Sequence, residues 1–217
     1  MADPAHLLRA REGAALRGYW PYVDGDHNDP VAAARYSELM ADSQHLIANH
    51  ILDAIKLRPG QRLLDIGGGT GTFARLASER FPEAATAVFD LPQVIAAISP
   101  RHRGSMGVVA GNMFEDPIPK IFDTISLVRI LHDHDDAPVD QLLSRCFDAL
   151  PNGGQLIIAE PMADTRNAES IGHTYFGFYL WAMGSGRPRT YKELKAALQR
   201  AGFQEIKEKR THIPALV

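Results

Sequence analysis

Short apolar runs alternate with helical patterns along most of the chain. The runs that suit buried strands fall at 62–66, 85–89, 107–110, 123–128, 155–159 and 204–208. Helical patterns lie between them at 72–80, 93–98, 139–150 and 190–200, and the last opens with a Thr190–Glu193 capping box and stops at Gly202. Strands separated by helices in this way run parallel, because each helix carries the chain back to the start of the sheet. The pattern predicts an α/β fold with a mostly parallel sheet.

The pattern changes towards the N-terminus. Residues 1–30 show weak periodicity, and the segment 22–30 has the composition of a loop. From Val31 a long helix is predicted up to the stop at Arg58-Pro59-Gly60. Its apolar positions recur at about every fourth residue: Tyr36, Met40, Ile47, Ile51 and Ile55. We therefore predict an N-terminal segment at 1–30 and one sheet-containing domain over 31–217.

Composition narrows the class of protein. The 217 residues include a single cysteine, Cys146, which excludes an internal disulfide framework and fits a reducing compartment. The formal net charge of −3, without a run of Lys or Arg, argues against non-specific nucleic-acid binding. No stretch approaches the roughly 18 consecutive apolar residues of a membrane helix, and the charged start lacks a secretory apolar region. We expect a cytoplasmic protein with no membrane span and no nucleic-acid partner.

A glycine-rich loop follows the first predicted strand. The sequence LLDIGGGTGTFA, residues 63–74, places Gly67, Gly69 and Gly71 between a strand and a helix, where the backbone must turn sharply and a ligand can approach closely. Asp90 ends the next strand and can accept two hydrogen bonds from a ribose diol. Loop and acid together predict a nucleoside-containing cofactor. A nicotinamide-dependent oxidoreductase would use the same features, although no Tyr-x-x-x-Lys pair stands in a suitable place.

A second polar cluster, HDHDD at residues 132–136, follows the fourth predicted strand. Ligands gather at the carboxyl ends of parallel strands, so His132 lies where it can meet a bound substrate. The alternative is a loop histidine that caps the following helix. A metal site is not expected, because His132 and His134 at i, i+2 fit no common zinc spacing. Asp135 and Asp136 are better explained as the N-cap and first-turn acids of a helix.

Six sequence blocks in register resemble one known family. They are LLDIGGGTGTFA, FDLPQV, GNMFEDPIP, LVRILHDHDD, LIIAEP and GRPRTYKELKAALQRAGF. Their order and spacing resemble those of the S-adenosylmethionine-dependent O-methyltransferases related to acetylserotonin and caffeate O-methyltransferases, over residues 31–217. The segment TYFGFYLWAMGSGRPRT, with MADSQ upstream, is most similar to the branch that methylates hydroxylated carotenoids, the hydroxyneurosporene or demethylspheroidene O-methyltransferases.

The resemblance implies a fold and a cofactor. The fold is the Rossmann-like class I methyltransferase fold, a mostly parallel seven-stranded sheet with helices on both faces, and we expect its final strand to be cut short here. The cofactor is S-adenosylmethionine. The positions that match the family's cofactor contacts are Gly67, Gly69, Gly71, Asp90, Leu91, Asn112, Met113 and Arg129. Asn112 stands in place of the usual aspartate, and Arg129 in place of the usual lysine.

The resemblance also implies the catalytic groups. His132 matches the general base, with Asp133 beside it, and Glu160 matches the acid that holds the histidine. His134 stands where many relatives have a tryptophan. Pro188 occupies the place of a second glutamate, so a complete His/Glu/Glu arrangement is in doubt. A sulfonium methyl is already activated, which leaves positioning, water exclusion and acceptance of the hydroxyl proton as the tasks of the protein.

The acceptor is expected to be an apolar small molecule with a hydroxyl group, a hydroxylated carotenoid above all. Phe176, Tyr179 and Met183 lie in the densest aromatic segment and are predicted to line its pocket, although the same segment suits a helix that is simply buried. The family carries an N-terminal helical domain that pairs two subunits into a homodimer. We expect residues 1–30 to be a remnant of it, so that the chain either is a fragment or has lost this lid. An O-methyltransferase is expected, and a non-catalytic methyltransferase-like cofactor-binding module is the alternative.

Overall fold

Residues 44–104, 106–213 and 216–217 are described by the computed structural model. Helix α1 is described over 44–54 and buries Ile47, Ile51 and Leu52. It ends at Ala54, four residues before the predicted stop at Arg58-Pro59-Gly60, so the prediction was too long at this end and Ile55 lies beyond the helix. The predicted apolar positions Tyr36 and Met40, and the boundary between residues 30 and 31, lie outside the described residues.

Five parallel strands form the described sheet. They are β1 (Arg62–Ile66), β2 (Ala85–Asp90), β3 (Gly107–Ala110), β4 (Thr124–Val128) and β5 (Gln155–Ala159), in the spatial order β3-β2-β1-β4-β5. All four strand pairings are parallel, which confirms the prediction. The chain order reverses between β1 and β4. In an open α/β sheet, the carboxyl ends of the strands at such a reversal form a crevice where ligands bind.

Helices cover both faces of the sheet. They are α2 (Thr72–Arg80), α3 (Pro92–Ala97), α4 (Pro100–Arg103), α5 (Asp136–Ala149), α6 (Phe176–Met183) and α7 (Tyr191–Ala201). One core packs α5 and α7 against the sheet through Leu142, Leu143 and Leu198. A second packs α1 and α2 against the opposite face, around Leu63 and Phe73, and a smaller third cluster includes Val88, Ile95 and Met106. No helix among the described residues is long and apolar enough to cross a bilayer.

The ends of α7 follow from its sequence. Thr190 caps the helix, and its hydroxyl accepts from the Glu193 N–H while the Glu193 carboxylate accepts from the Thr190 N–H. Gly202 ends the helix with φ +108°, a left-handed conformation that glycine adopts without steric cost. Both features match the predicted capping box and stop.

The predicted sixth strand is wrong as a paired element. Residues 204–208 have no ladder partner, and of these residues only Ile206 packs against the core. A strand exists where a neighbour supplies matching N–H and C=O groups, and among the described residues none borders this segment. The sequence of the segment, QEIKE, has a single apolar residue and therefore no alternating apolar face to bury in a sheet. The described sheet therefore has five of the seven strands expected from the resemblance.

Candidate active site

Five polar or glycine-rich segments meet at the carboxyl edge of the sheet. The glycine loop follows β1, Asp90 ends β2, Asn112 follows β3, the turn at 129–133 follows β4, and Glu160 follows β5. The parallel topology brings them together although they are far apart in sequence. This edge includes the crevice between β1 and β4 and forms the candidate site.

The glycine loop is shaped by its backbone. Gly67, Gly69 and Gly71 all have positive φ, at +68°, +57° and +80°. A Cβ on Gly67 would lie 2.5 Å from the Ile130 side chain, and one on Gly71 would run into Met106. A Cβ on Gly69 would meet nothing within 4 Å. Gly69 therefore faces open space, so this side of the loop is accessible to a ligand.

Asp90 holds the loop to the end of β2. Its Oδ2 accepts from the Gly69 N–H at 2.8 Å, and its Oδ1 accepts from the Leu91 N–H at 2.7 Å. Burial raises the pKa of Asp90, and these two backbone donors act in the opposite direction. Each carboxylate oxygen has a second lone pair, so both can still accept from a ligand diol.

The Asn112 side chain is engaged in its own turn. Its Oδ1 accepts from the Phe114 N–H at 2.9 Å, and the Asn112 N–H donates to Asp116 Oδ2 at 2.8 Å. The neighbouring Met113 packs partly buried against the core. The asparagine in place of an acid thus stabilises the turn after β3 and keeps its amide NH2 group for other contacts.

His132 is buried against Glu160. Its Nδ1 lies 2.5 Å from Glu160 Oε2, and only 4% of the residue is exposed. Glu160 Oε1 also accepts from the Ile130 and Leu131 N–H groups at 2.9 and 2.7 Å. A carboxylate at Nδ1 keeps a proton on that nitrogen and leaves Nε2 as the basic atom.

Asp133 faces the other nitrogen of the same ring. Its Oδ1 lies 3.2 Å from His132 Nε2. Burial lowers the pKa of His132, but the charges of Asp133 and Glu160 outweigh it, so the net pKa is raised. Burial raises the pKa of Asp133 to about 6, against the attraction of His132. The two carboxylates on the ring therefore favour its protonated form.

Two further residues of this turn are distinctive. Arg129 has φ +57°, which is unusual for a residue with a side chain, and its N–H donates to the Ala159 carbonyl at 2.8 Å. The His134 ring packs edge-on against Phe114, with centroids 5.0 Å apart. Burial and the charge of His132 lower the pKa of His134 to about 4, so this ring is neutral. Asp135 and Asp136 take the N-cap and first-turn positions of α5, as predicted.

The aromatic helix lies beside the histidine. A π-helical segment (Ser170–Tyr175) leads into α6, and the Phe176 ring packs edge-on against the His132 ring with centroids 6.3 Å apart. Phe176 and Met183 are buried, and Tyr179 is half-buried. Tyr175, Phe178 and Trp181 are exposed. The helix thus has a buried face towards the site and an exposed aromatic face.

Arg189 is a site residue that the sequence patterns did not indicate. It is 6% exposed, and its guanidinium contacts the backbone of the His132 turn. A single arginine in a Gly- and Pro-rich loop carries no periodic signal. Its burial, which only the structure reveals, is what marks it.

The chain was compared with known protein families. Residues 17–204 match the model of the O-methyltransferase domain. This chain belongs to the O-methyltransferase family. It is 42% identical over 216 residues to demethylspheroidene O-methyltransferase of Rhodobacter capsulatus, and this match covers 99% of the chain and 55% of that relative. It is 40% identical over 215 residues to the enzyme of that name from Cereibacter sphaeroides, which covers 95% of the chain and 56% of the relative.

A solved O-methyltransferase structure agrees with the fold. The enzyme from neocarzinostatin biosynthesis, in complex with S-adenosyl-L-homocysteine and 1,4-dihydroxy-2-naphthoic acid, superposes with a TM-score of 0.77 at 26% identity, over 91% of this chain and 61% of that one. This O-methyltransferase chain thus has the class I methyltransferase fold, as expected. It spans just over half the length of the two relatives above. Family membership disfavours the oxidoreductase explanation of the glycine loop.

Proposed function

We propose that this chain transfers a methyl group from S-adenosylmethionine to a hydroxyl oxygen of an apolar small molecule, a hydroxylated carotenoid of the demethylspheroidene type. The observation that carries the proposal is the buried His132–Glu160 pair at the same sheet edge as the open glycine loop. Identities of 42% and 40% to demethylspheroidene O-methyltransferases support the acceptor class.

The residues of the loop fit the cofactor. Gly69 leaves free the space that a Cβ would fill, and Asp90 retains acceptor capacity for ribose hydroxyls. Leu91, Asn112, Met113 and Arg129 would complete the surroundings. When bound, S-adenosylmethionine supplies an electrophilic methyl group, so no covalent intermediate with the protein is required.

His132 accepts the hydroxyl proton in this proposal. Glu160 holds the proton on Nδ1, so His132 presents a lone pair at Nε2 once the ring has lost its second proton, which the charges of Asp133 and Glu160 help to retain. The Asp133 carboxyl lies against that nitrogen, and it must turn aside for an acceptor hydroxyl to approach. Glu160 then stabilises the imidazolium that results. Phe176 would supply an apolar wall next to the reacting oxygen, with Tyr179 and Met183 further along the helix.

Cofactor binding is tested by calorimetry with S-adenosylhomocysteine. Gly69→Ala should abolish or strongly weaken binding, because its methyl group would occupy the open side of the loop. Gly60→Ala is the matched control: Gly60 also has positive φ, +80°, and open space around Cβ, but it precedes β1 at the opposite edge of the sheet. Equal binding by the two variants would contradict the proposed cradle.

Turnover is tested with a hydroxylated linear carotenoid and labelled S-adenosylmethionine. The expected result is methyl transfer that falls by about 10²- to 10⁴-fold in His132→Ala, the usual contribution of a general base. Near-normal transfer by His132→Ala would refute the assignment of the base. Tight S-adenosylhomocysteine binding without transfer to any hydroxylated acceptor would identify a non-catalytic module instead.

A further inference from the structure

The loop that carries Arg189 closes over the turn that carries His132. Residues 184–190 connect α6 to α7, and the turn at 129–135 connects β4 to α5. We propose that Arg189 is a positioning residue that fixes this turn and thereby the direction in which His132 presents Nε2. The inference rests on the proposed role of His132 as the base.

Arg189 joins two carbonyls of the turn to the first residue of α5. Its Nη1 donates to the Leu131 carbonyl at 2.6 Å, and its Nη2 donates to the His134 carbonyl at 2.8 Å. Its Nε and Nη2 lie 3.1 and 2.8 Å from Asp136 Oδ1. The two carbonyls flank His132 on either side. One planar guanidinium with fixed donor directions therefore sets the distance across the turn, which a lysine ammonium cannot do.

The same arginine also links the turn to the segment that follows Glu160. The Arg189 carbonyl accepts from the Ala163 N–H at 2.9 Å. Through its side chain and its backbone, Arg189 connects the histidine turn to the chain segment that bears the histidine's carboxylate partner. The adjacent Pro188 has no side-chain donor or acceptor with which to orient the ring. Arg189 thus acts through the backbone on both members of the His132–Glu160 pair.

The neighbouring loop residues pack on the same turn. The Ser185 hydroxyl donates to the Asp133 carbonyl at 3.0 Å, and the Gly186 N–H donates to Asp135 Oδ1 at 3.0 Å. A Cβ on Gly186 would run into the His132 carbonyl. Because the loop packs so closely on the turn, the backbone of the turn can move little while the loop is in place. The conformation of the turn therefore depends on how the loop is anchored. Arg189 is the buried anchor.

The test compares Arg189→Met with Arg187→Met. Arg187 lies in the same loop and also contacts Asp136, but it is 41% exposed and pairs with Glu193 rather than with the backbone of the turn. One readout is the 15N spectrum of labelled histidine, in which the Nδ1 and Nε2 shifts of His132 report its tautomer and its bond to Glu160. The other is the split between kcat and KM, measured on the full chain.

Arg189→Met should shift the His132 nitrogen signals and lower kcat by about ten- to a hundredfold, with KM for S-adenosylmethionine within about twofold of the wild type. Arg187→Met should leave the signals in place and kcat within about twofold. Arg189→Lys keeps the positive charge but loses the planar set of donors. It should therefore change the His132 nitrogen signals and kcat in the same direction as Arg189→Met, by a smaller amount. If Arg189→Met does not fold, Arg189→Lys decides.

A purely structural role would lower stability without moving the signals of the folded protein. His132 signals and kcat that match those of Arg187→Met would therefore overturn the proposal. The nitrogen signals also separate this inference from the proposed function. If the wild type transfers no methyl group, a shift in Arg189→Met but not in Arg187→Met still upholds the positioning role, and unchanged signals refute it.

Discussion

Asp65 provides a sharp test of the electrostatics beneath the glycine loop. It lies in β1, is 1% exposed, and accepts from the Ser126 hydroxyl at 2.6 Å through Oδ1. Its Oδ2 has no hydrogen-bond partner, and a Cβ on Gly68 would run into this atom. Burial raises the pKa of Asp65 from 3.8 to about 7, which the Ser126 bond opposes and the charge of Asp90 reinforces.

The size of the effect follows from these two pKa values. Between pH 3.8 and about 7 the folded chain keeps a proton that the unfolded chain has lost, so the free energy of unfolding falls as the pH rises. The difference is worth about 4 kcal/mol in total, of which roughly 3 kcal/mol falls between pH 5 and pH 8. This stability is fully present below pH 3.8 and is lost as the pH rises through about 7.

Asp65→Asn removes the titration and keeps the shape. The free energy of unfolding is measured by urea titration at pH 5 and pH 8. Relative to the wild type, Asp65→Asn should be more stable at pH 8 than at pH 5 by roughly 3 kcal/mol, with an unchanged m-value. Glu205→Gln is the control, because its side chain is 88% exposed and water solvates it in both states. If the stability difference between Asp65→Asn and the wild type is the same at both pH values, the Asp65 carboxyl of the folded chain is already ionised at pH 5, and the reasoning is refuted.

Three further outcomes are expected. Glu160→Gln should lower kcat about as much as His132→Ala does, because an amide N–H facing Nδ1 moves the ring proton to Nε2. If the losses of the two single variants add in the variant that carries both changes, the two residues do not act as a pair. Asp133→Asn should lower the pKa of His132 and move the acid limb of the pH–kcat profile to lower pH, and an unmoved limb would argue against their coupling. Thr190→Ala should lower the free energy of unfolding by about 1 kcal/mol, which is measured as a melting point about 2–4 °C lower. An unchanged melting point would show that the capping box does not stabilise α7.

The sheet and the glycine loop could be predicted because their signals are local. Strand β1, the glycines and helix α2 follow one another within residues 62–80, and each residue type answers a backbone requirement of its own segment. Positive φ at Gly67, Gly69 and Gly71 is the physical reason for that spacing. The order of strands and helices then implies a parallel sheet, whose carboxyl edge brings Asp90, His132 and Glu160 together.

Arg189 and the segment 204–208 could not be predicted in the same way. Arg189 contacts Leu131 across 58 positions, and nothing in GSGRPRT distinguishes it from the exposed Arg187. Residues 204–208 contain one apolar residue, Ile206, and a strand also needs a partner, which the segment itself does not encode. Asn112 is a third case: its resemblance to a cofactor contact did not indicate that Oδ1 already caps the turn after β3.

The acids of this site have two tasks, and this affects how any variant is interpreted. Asp90 accepts from the Gly69 and Leu91 N–H groups, and Glu160 accepts from the Ile130 and Leu131 N–H groups, so each acid ties a loop to a strand end before any ligand is present. Removing either leaves backbone donors unsatisfied, which costs about 1–3 kcal/mol where they are buried. Loss of cofactor affinity in Asp90→Ala would therefore not by itself demonstrate a ribose contact. Gly69→Ala removes no acceptor and adds an atom on the open side, and Gly60→Ala carries a similar positive-φ strain away from the site, so the difference between these two variants isolates the ligand.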